Sequence, residues 1–130
     1  MNQTFRGLII WTTNMTPVQI RHEYDREQFK DYLEDFWNQQ ADWSRAAFGT
    51  DAERGPEGPL RHLIKEAGEA LGNQKDLTEY ADCLFLVFDS CRRAGFSYAD
   101  LLEACFAKLE VNRSRKWNKP SKDQPVEHVR

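Results

Sequence analysis

Two acidic pairs stand in mirror register about a short link, and this constrains the chain more than any other feature. Glu66 and Glu69 precede residues 72–76, and Glu79 and Asp82 follow them. Apolar residues recur at helical spacing on both sides. Leu60, Leu63, Ile64, Ala67 and Leu71 form a stripe before the link, and a run apolar nearly all round extends from Leu77 to Ala94 after it. A link this short makes the two helices antiparallel neighbours. At about 100° per residue, the members of each acidic pair share a helical face. In such a hairpin Glu69 is expected level with Glu79, and Glu66 level with Asp82. The carboxylates then converge between two helices.

Carboxylates brought that close repel one another, and their pKa values rise unless a cation is present. Oxygen-only ligands suit the hard ions Mg²⁺ and Mn²⁺, and magnesium sites usually combine carboxylates with substrate phosphates. The pattern therefore points to a phosphorylated substrate. A lone ExxE on a helix is most often a solvated face. Mirror register and an apolar run beside Glu79 and Asp82 favour metal binding. Di-iron bundles use Glu-x-x-His, and none of His22, His62 and His128 stands at that spacing. His62, one turn before Glu66, reads as a surface or helix-terminal histidine.

The remaining sequence is consistent with one all-α domain, a bundle of four main helices over 25–49, 59–71, 77–94 and 97–116. An arm is expected at 1–24 and an extended tail at 117–130. Phe29, Leu33, Phe36, Gln40, Trp43 and Ala47 mark one face of the first helix, which Gly49 ends. Pro59 is expected at the first position of the second helix. Ser97 and Asp100 form a capping pair for the last. With 130 residues, 40% hydrophobic and 30% charged, the chain can bury a core without staples. Its net charge of -3 and pI near 5.6 argue against nucleic-acid binding. No apolar run is long enough for a membrane span, and no secretory signal is visible, so a cytoplasmic location is expected. Cys83, Cys91 and Cys105 are expected as buried thiols.

Two further clusters bear on function. Lys108, Asn112 and Arg115, with Lys116 beside them, follow i, i+4, i+7 spacing near the end of the last helix. Cations there complement the helix dipole, and they could equally clamp a triphosphate while Asn112 meets phosphate or sugar. Phe36, Trp37, Trp43 and Phe48 surround the polar Gln40. These should be mostly core, yet the amide needs a partner, and a nucleobase offers a π-face to Trp43 and edge groups to Gln40. Trp11, on the arm, is a third candidate for the base. P-loop, Rossmann, zincin and nucleophile-elbow motifs are absent.

Glu66-x-x-Glu69 with Glu79-x-x-Asp82, then Lys108-x-x-x-Asn112-x-x-Arg115-Lys116-Trp117, resembles the signature of the MazG-like all-α NTP pyrophosphatases. Trp43-Ser44-x-x-x-Phe48-Gly49, Gly58-Pro59-Leu60-x-His62-Leu63-x-Lys65-Glu66 and the tail Pro125-Val126-Glu127-His128-Val129-Arg130 are closer to its phage dATP/dGTP diphosphohydrolase branch. The resemblance runs from about residue 29 to residue 130, and the acidic pairs are closer together than in the wider group. It implies hydrolysis of a nucleoside triphosphate to the monophosphate and pyrophosphate, with two or more Mg²⁺ or Mn²⁺ ions, in a dimer or tetramer. Within the branch dGTP is the expected substrate, its dGMP feeding 2-aminoadenine nucleotide synthesis in a phage-infected host cytoplasm. The alternatives are dATP or a non-canonical purine, or, in another class, a non-catalytic helical scaffolding module. On the enzymatic reading Glu66, Glu69, Glu79 and Asp82 bind the ions, Lys108, Asn112, Arg115 and Lys116 the phosphates and sugar, and Gln40, Trp43 and Trp11 the base.

Overall fold

Helices carry the described part of the chain, residues 26–130, with side chains described from Tyr32 onward. The structure is a computed structural model. α1 covers Arg26–Phe48, α2 Glu57–Gly72, α3 Leu77–Arg93 and α4 Tyr98–Ser114, and no strand occurs among the described residues. The chain is all-α, as its periodicity predicts. The arm at 1–24 and Trp11 lie outside the described residues. No described helix is long and apolar enough to cross a membrane. The described residues divide into two compact units, which part after Ala94.

In the first unit α3 packs against both α2 and α1. The contact with α1 is aromatic. Phe36 meets Phe85 edge-on at 5.3 Å between ring centroids, and Trp37 meets Phe88 at 5.0 Å. Such pairs add about 0.5–1.5 kcal/mol each beyond the area they bury. Gly49 ends α1 at φ +105°, a backbone conformation that glycine adopts without a Cβ penalty. α2 starts at Glu57, so Pro59 is its third residue rather than its first. It still lies in the first turn, where its missing N–H forfeits no helical bond. Asp76 caps α3 by accepting from the Thr78 amide at 2.9 Å.

Two expectations need correction. α3 is buried only toward its C-terminal end, at Phe88, Asp89, Ser90, Arg92 and Arg93. Its N-terminal half leaves Leu77, Tyr80 and Leu84 exposed, because α1 and α2 cover only part of its circumference. The cysteines are not deeply buried. Cys105 is exposed and Cys83 and Cys91 are half-buried, and no disulfide joins them.

The C-terminal end of α3 is buried through an ionic cluster. Arg93 donates from Nε to Asp89 Oδ2 at 3.0 Å and from Nη2 to Ser44 Oγ at 2.9 Å. It also donates to the carbonyls of Gly49, Thr50 and Arg54 at 3.1–3.2 Å. One guanidinium thus ties the end of α1 and the following loop to α3, adding to the backbone amides of Glu53 and Arg54 that already bond the Thr50 carbonyl. Arg92 donates to Asp89 at 2.7 Å, to Asp51 at 3.2 Å and to Gln40 Oε1 at 3.1 Å. Burial pushes the Asp89 carboxyl up, but hydrogen bonds from Ser44, Arg92, Arg93 and Gln40 outweigh it and hold the group below the usual carboxylate range.

In the second unit Ser97 and Asp100 form a complete capping box at the start of α4, with bonds of 2.9 and 3.1 Å. The tail is not simply extended. Val129 N–H donates to the Lys116 carbonyl at 2.6 Å, and Trp117 and His128 form an isolated antiparallel bridge with their rings edge-on. The Trp117 indole N–H donates to the Asn112 carbonyl at 2.9 Å, so the tail folds back on the last turn of α4.

Candidate active site

The acidic residues meet on facing sides of α2 and α3. One carboxylate oxygen from each of Glu66, Glu79 and Asp82 lies within 4.8 Å of the others. Glu66 and Glu79 are half-buried and Asp82 is exposed. Glu69 stands beside this group rather than in it. Three residues turn a helix by about 300°, so the members of an ExxE diverge by about 60° around the axis. Glu66 meets Asp82, as the expected level pairing has it, and Glu69 lies close enough to Glu79 to feel its charge.

The electrostatics agree with that placement. The Glu69 carboxyl is held above its ordinary range, first by hydrogen bonding with Glu66 and then by the negative charges of Glu66 and Glu79. The Glu79 carboxyl is also raised, first by desolvation and then by the charges of Asp76, Glu66 and Asp82. Like charges gathered in this way call for a cation. Glu66 Oε1 bonds His62 Nε2 at 2.8 Å, while Oε2 is enclosed and no donor reaches it. An all-oxygen donor set with an unsatisfied enclosed acceptor fits a hard divalent ion.

Beside the carboxylates a cavity of about 590 Å³ opens between α1 and the hairpin. Glu66, Asp82 and His62 line the side next to the acids. Phe36, Trp43, Phe48 and Phe85 supply aromatic walls, and the buried Gln40 and Asp89 also line it. Trp43 is 55% exposed, set edge-on to Phe48 at 5.4 Å and to Phe85 at 6.1 Å. The volume and the mix of rings with a few polar groups suit a small planar ligand.

Gln40 has partners that its sequence position does not reveal. Its Nε2 donates to Asp89 Oδ1 at 3.3 Å and its Oε1 accepts from Arg92, so the buried amide is satisfied within the fold. The sequence reading gave no role to Asp89, Arg92 or Arg93, and it quoted Ser44 only as part of the Trp43–Gly49 stretch. A signal was present, since Asp89-x-x-Arg92-Arg93 places an acid at i+3 and i+4 spacing from two arginines at the end of an apolar run.

The basic cluster belongs to the second unit. Lys108 and Asn112 are on α4, Arg115 is its C-cap and Lys116 follows. The Asn112 carbonyl accepts from the Arg115 N–H and from the Trp117 indole, and the Lys116 carbonyl accepts from Val129. The tail therefore holds the backbone of two members of the cluster, Asn112 and Lys116.

A profile of the dATP/dGTP pyrophosphohydrolase family matches residues 36–130. The Eaa protein of Salmonella phage P22 is 41% identical over 92 residues, 71% of this chain and 28% of its own length. The dATP/dGTP diphosphohydrolase of cyanophage S-2L is 37% identical over 67 residues, 50% of this chain and 61% of its own. The chain thus spans about a quarter of the first and about three-fifths of the second. A solved structure, the cyanophage S-2L MazG-like pyrophosphohydrolase bound to dGDP and three catalytic Mn²⁺ ions per active site, matches with a TM-score of 0.60 and 29% identity. The match covers 74% of this chain and 95% of that one.

Proposed function

The chain belongs to the dATP/dGTP pyrophosphohydrolase family, and on that premise we propose that it hydrolyses a purine deoxynucleoside triphosphate to the monophosphate and pyrophosphate, with dGTP as the preferred substrate. The observation that carries this reading is the convergence of Glu66, Glu79 and Asp82 within 4.8 Å at the edge of an aromatic cavity. A product dGMP suits a supply route to 2-aminoadenine nucleotides in the cytoplasm of a phage-infected cell. The family description also covers dATP, so dATP is the second substrate to test.

Glu66, Glu79 and Asp82, with Glu69 beside them, would hold Mg²⁺ or Mn²⁺. Once bound, the ions polarise the α-phosphorus and lower the pKa of an attacking water. Trp43 and the aromatic walls would stack the base, and Gln40, held by Asp89 and Arg92, would offer it a fixed amide edge. We assign Lys108, Arg115 and Lys116 to the β and γ phosphates and Asn112 to phosphate or sugar. The sequence spacing of these residues supports that role. Charge grows on pyrophosphate as the α–β bond breaks, and a positioned cation stabilises it more in the transition state than in the ground state.

The test is product analysis with dGTP and dATP in Mg²⁺ and in Mn²⁺. Monophosphate and pyrophosphate are expected, and inorganic phosphate appearing without added pyrophosphatase would overturn the reading. In the same assay Arg115→Ala should lower kcat by about 10²-fold, the scale of losing one positioned charge stabiliser. Trp43→Ala should act mainly on KM, because stacking is felt about equally in ground and transition states.

A homo-oligomer, dimer or tetramer, is part of the same proposal. Ile64 and Leu71 on α2 and Leu77 on α3 are 76%, 72% and 69% exposed. Large apolar side chains exposed together along one hairpin favour self-association. Light scattering at micromolar concentration should give a mass at least twice that of the chain. A monomer there would count against it.

A further inference from the structure

We propose that His62 is a positioning residue that engages one oxygen of Glu66 and so commits that carboxylate to a small octahedral cation through the other. The inference rests on the metal-binding reading of the acidic cluster. Glu66 as a ligand is ionised and can only accept hydrogen bonds, so at the 2.8 Å contact His62 Nε2 is the donor. The two residues are one helical turn apart on α2, and the backbone keeps them paired. The Glu66 side chain is 13% exposed and that of His62 is 53% exposed. The bond therefore lies at the wall of the cavity, where water competes poorly for the carboxylate.

The consequence concerns the second oxygen. With Oε1 engaged by the imidazole, the enclosed Oε2 would be the oxygen left for a cation. A carboxylate held in this way would favour coordination through one oxygen. Mg²⁺ requires near-octahedral geometry at about 2.0–2.1 Å and accepts single-oxygen ligands, and Mn²⁺ takes the same all-oxygen octahedron. Ca²⁺ favours more ligands at about 2.3–2.6 Å, often with both oxygens of a carboxylate. His62 thus disfavours Ca²⁺ at this site as well as orienting Glu66. Partners that orient a ligand in this way typically change metal affinity by about 10–100-fold when removed. His62 also lines the cavity beside the acids, so the same side chain joins the carboxylates to the aromatic pocket.

The experiment is a titration of the full chain with Mn²⁺ alone, followed by electron paramagnetic resonance, then displacement of the bound Mn²⁺ by Ca²⁺. His62→Ala should weaken Mn²⁺ binding by about tenfold or more. It should also lower the ratio of Ca²⁺ to Mn²⁺ needed for half-displacement. His62→Gln, whose side-chain amide can donate in place of Nε2, should restore both readings toward those of the parent. A loss of packing alone would not be corrected by Gln and would not change the choice between ions. Parent-like Mn²⁺ affinity and parent-like Ca²⁺ competition in His62→Ala would overturn the role of His62 and leave the metal site standing. No Mn²⁺ binding by the parent protein would overturn the metal reading and this proposal with it.

Discussion

Asp82→Asn should leave almost no hydrolysis while the helical circular dichroism stays that of the parent protein. The substitution removes one ligand charge and keeps the shape of the side chain. Losing a ligand to catalytic ions forfeits several kcal/mol of transition-state stabilisation, about 10³-fold or more in rate. The fold should tolerate it, because Asp82 is exposed and its charge adds to the repulsion felt by Glu79. The metal-free variant is therefore expected to melt no lower than the parent, while the stabilisation by Mn²⁺ disappears. Glu79→Gln should behave alike. Glu69→Gln should cost less, because Glu69 stands outside the tight group. Full activity in Asp82→Asn would sink the metal assignment.

Arg93→Met should destabilise the protein by about 3–5 kcal/mol, the usual cost of removing one partner from a buried ion pair. The Arg93 side chain is 1% exposed. Its loss removes one of the two arginines that pair with Asp89, which keeps Arg92, Gln40 and Ser44, and takes the guanidinium away from the carbonyls of Gly49 and Arg54. Denaturant unfolding would measure the difference, and a loss below about 1 kcal/mol would mean that water replaces the guanidinium without penalty. The pH dependence has a definite sign. Asp89 is held below its ordinary range, and so is Asp51, chiefly by the hydrogen bond from Arg45 and despite partial desolvation. Stability from these carboxylates is fully present above their unfolded pKa of about 4 and is lost as pH falls through the lower folded values. The difference between parent and Arg93→Met should therefore narrow in acid. Glu69 and Glu79 are shifted upward and carry the opposite sign, so in the absence of metal they weaken the fold as pH rises through their folded values.

Local order along the chain was legible from residue patterns. The 3.6-residue period, Gly49 and Gly95 at helix ends, the Ser97–Asp100 cap and the short link before α3 are local signals, and they determined by themselves four helices and a hairpin with facing acids. Which of the four carboxylates form the tight group was not legible. The choice of Glu66 over Glu69 as the inward member depends on the rotation of α2 against α3, and a difference of about 60° around a helix leaves no mark on spacing alone. Nor was the setting of Gln40. Its amide has an apolar stripe around it in sequence, and its partners Asp89 and Arg92 are 49 and 52 residues away. Arg92 and Arg93 stand in the last turn of α3, and only packing against the end of α1 makes them buried donors. The sequence by itself determined which residue types face one another across the α2–α3 hairpin, because helical periodicity and a short link are local constraints. Only the tertiary structure decided which of those carboxylates meet, and which charges are buried, because both depend on how one helix is turned and stacked against another.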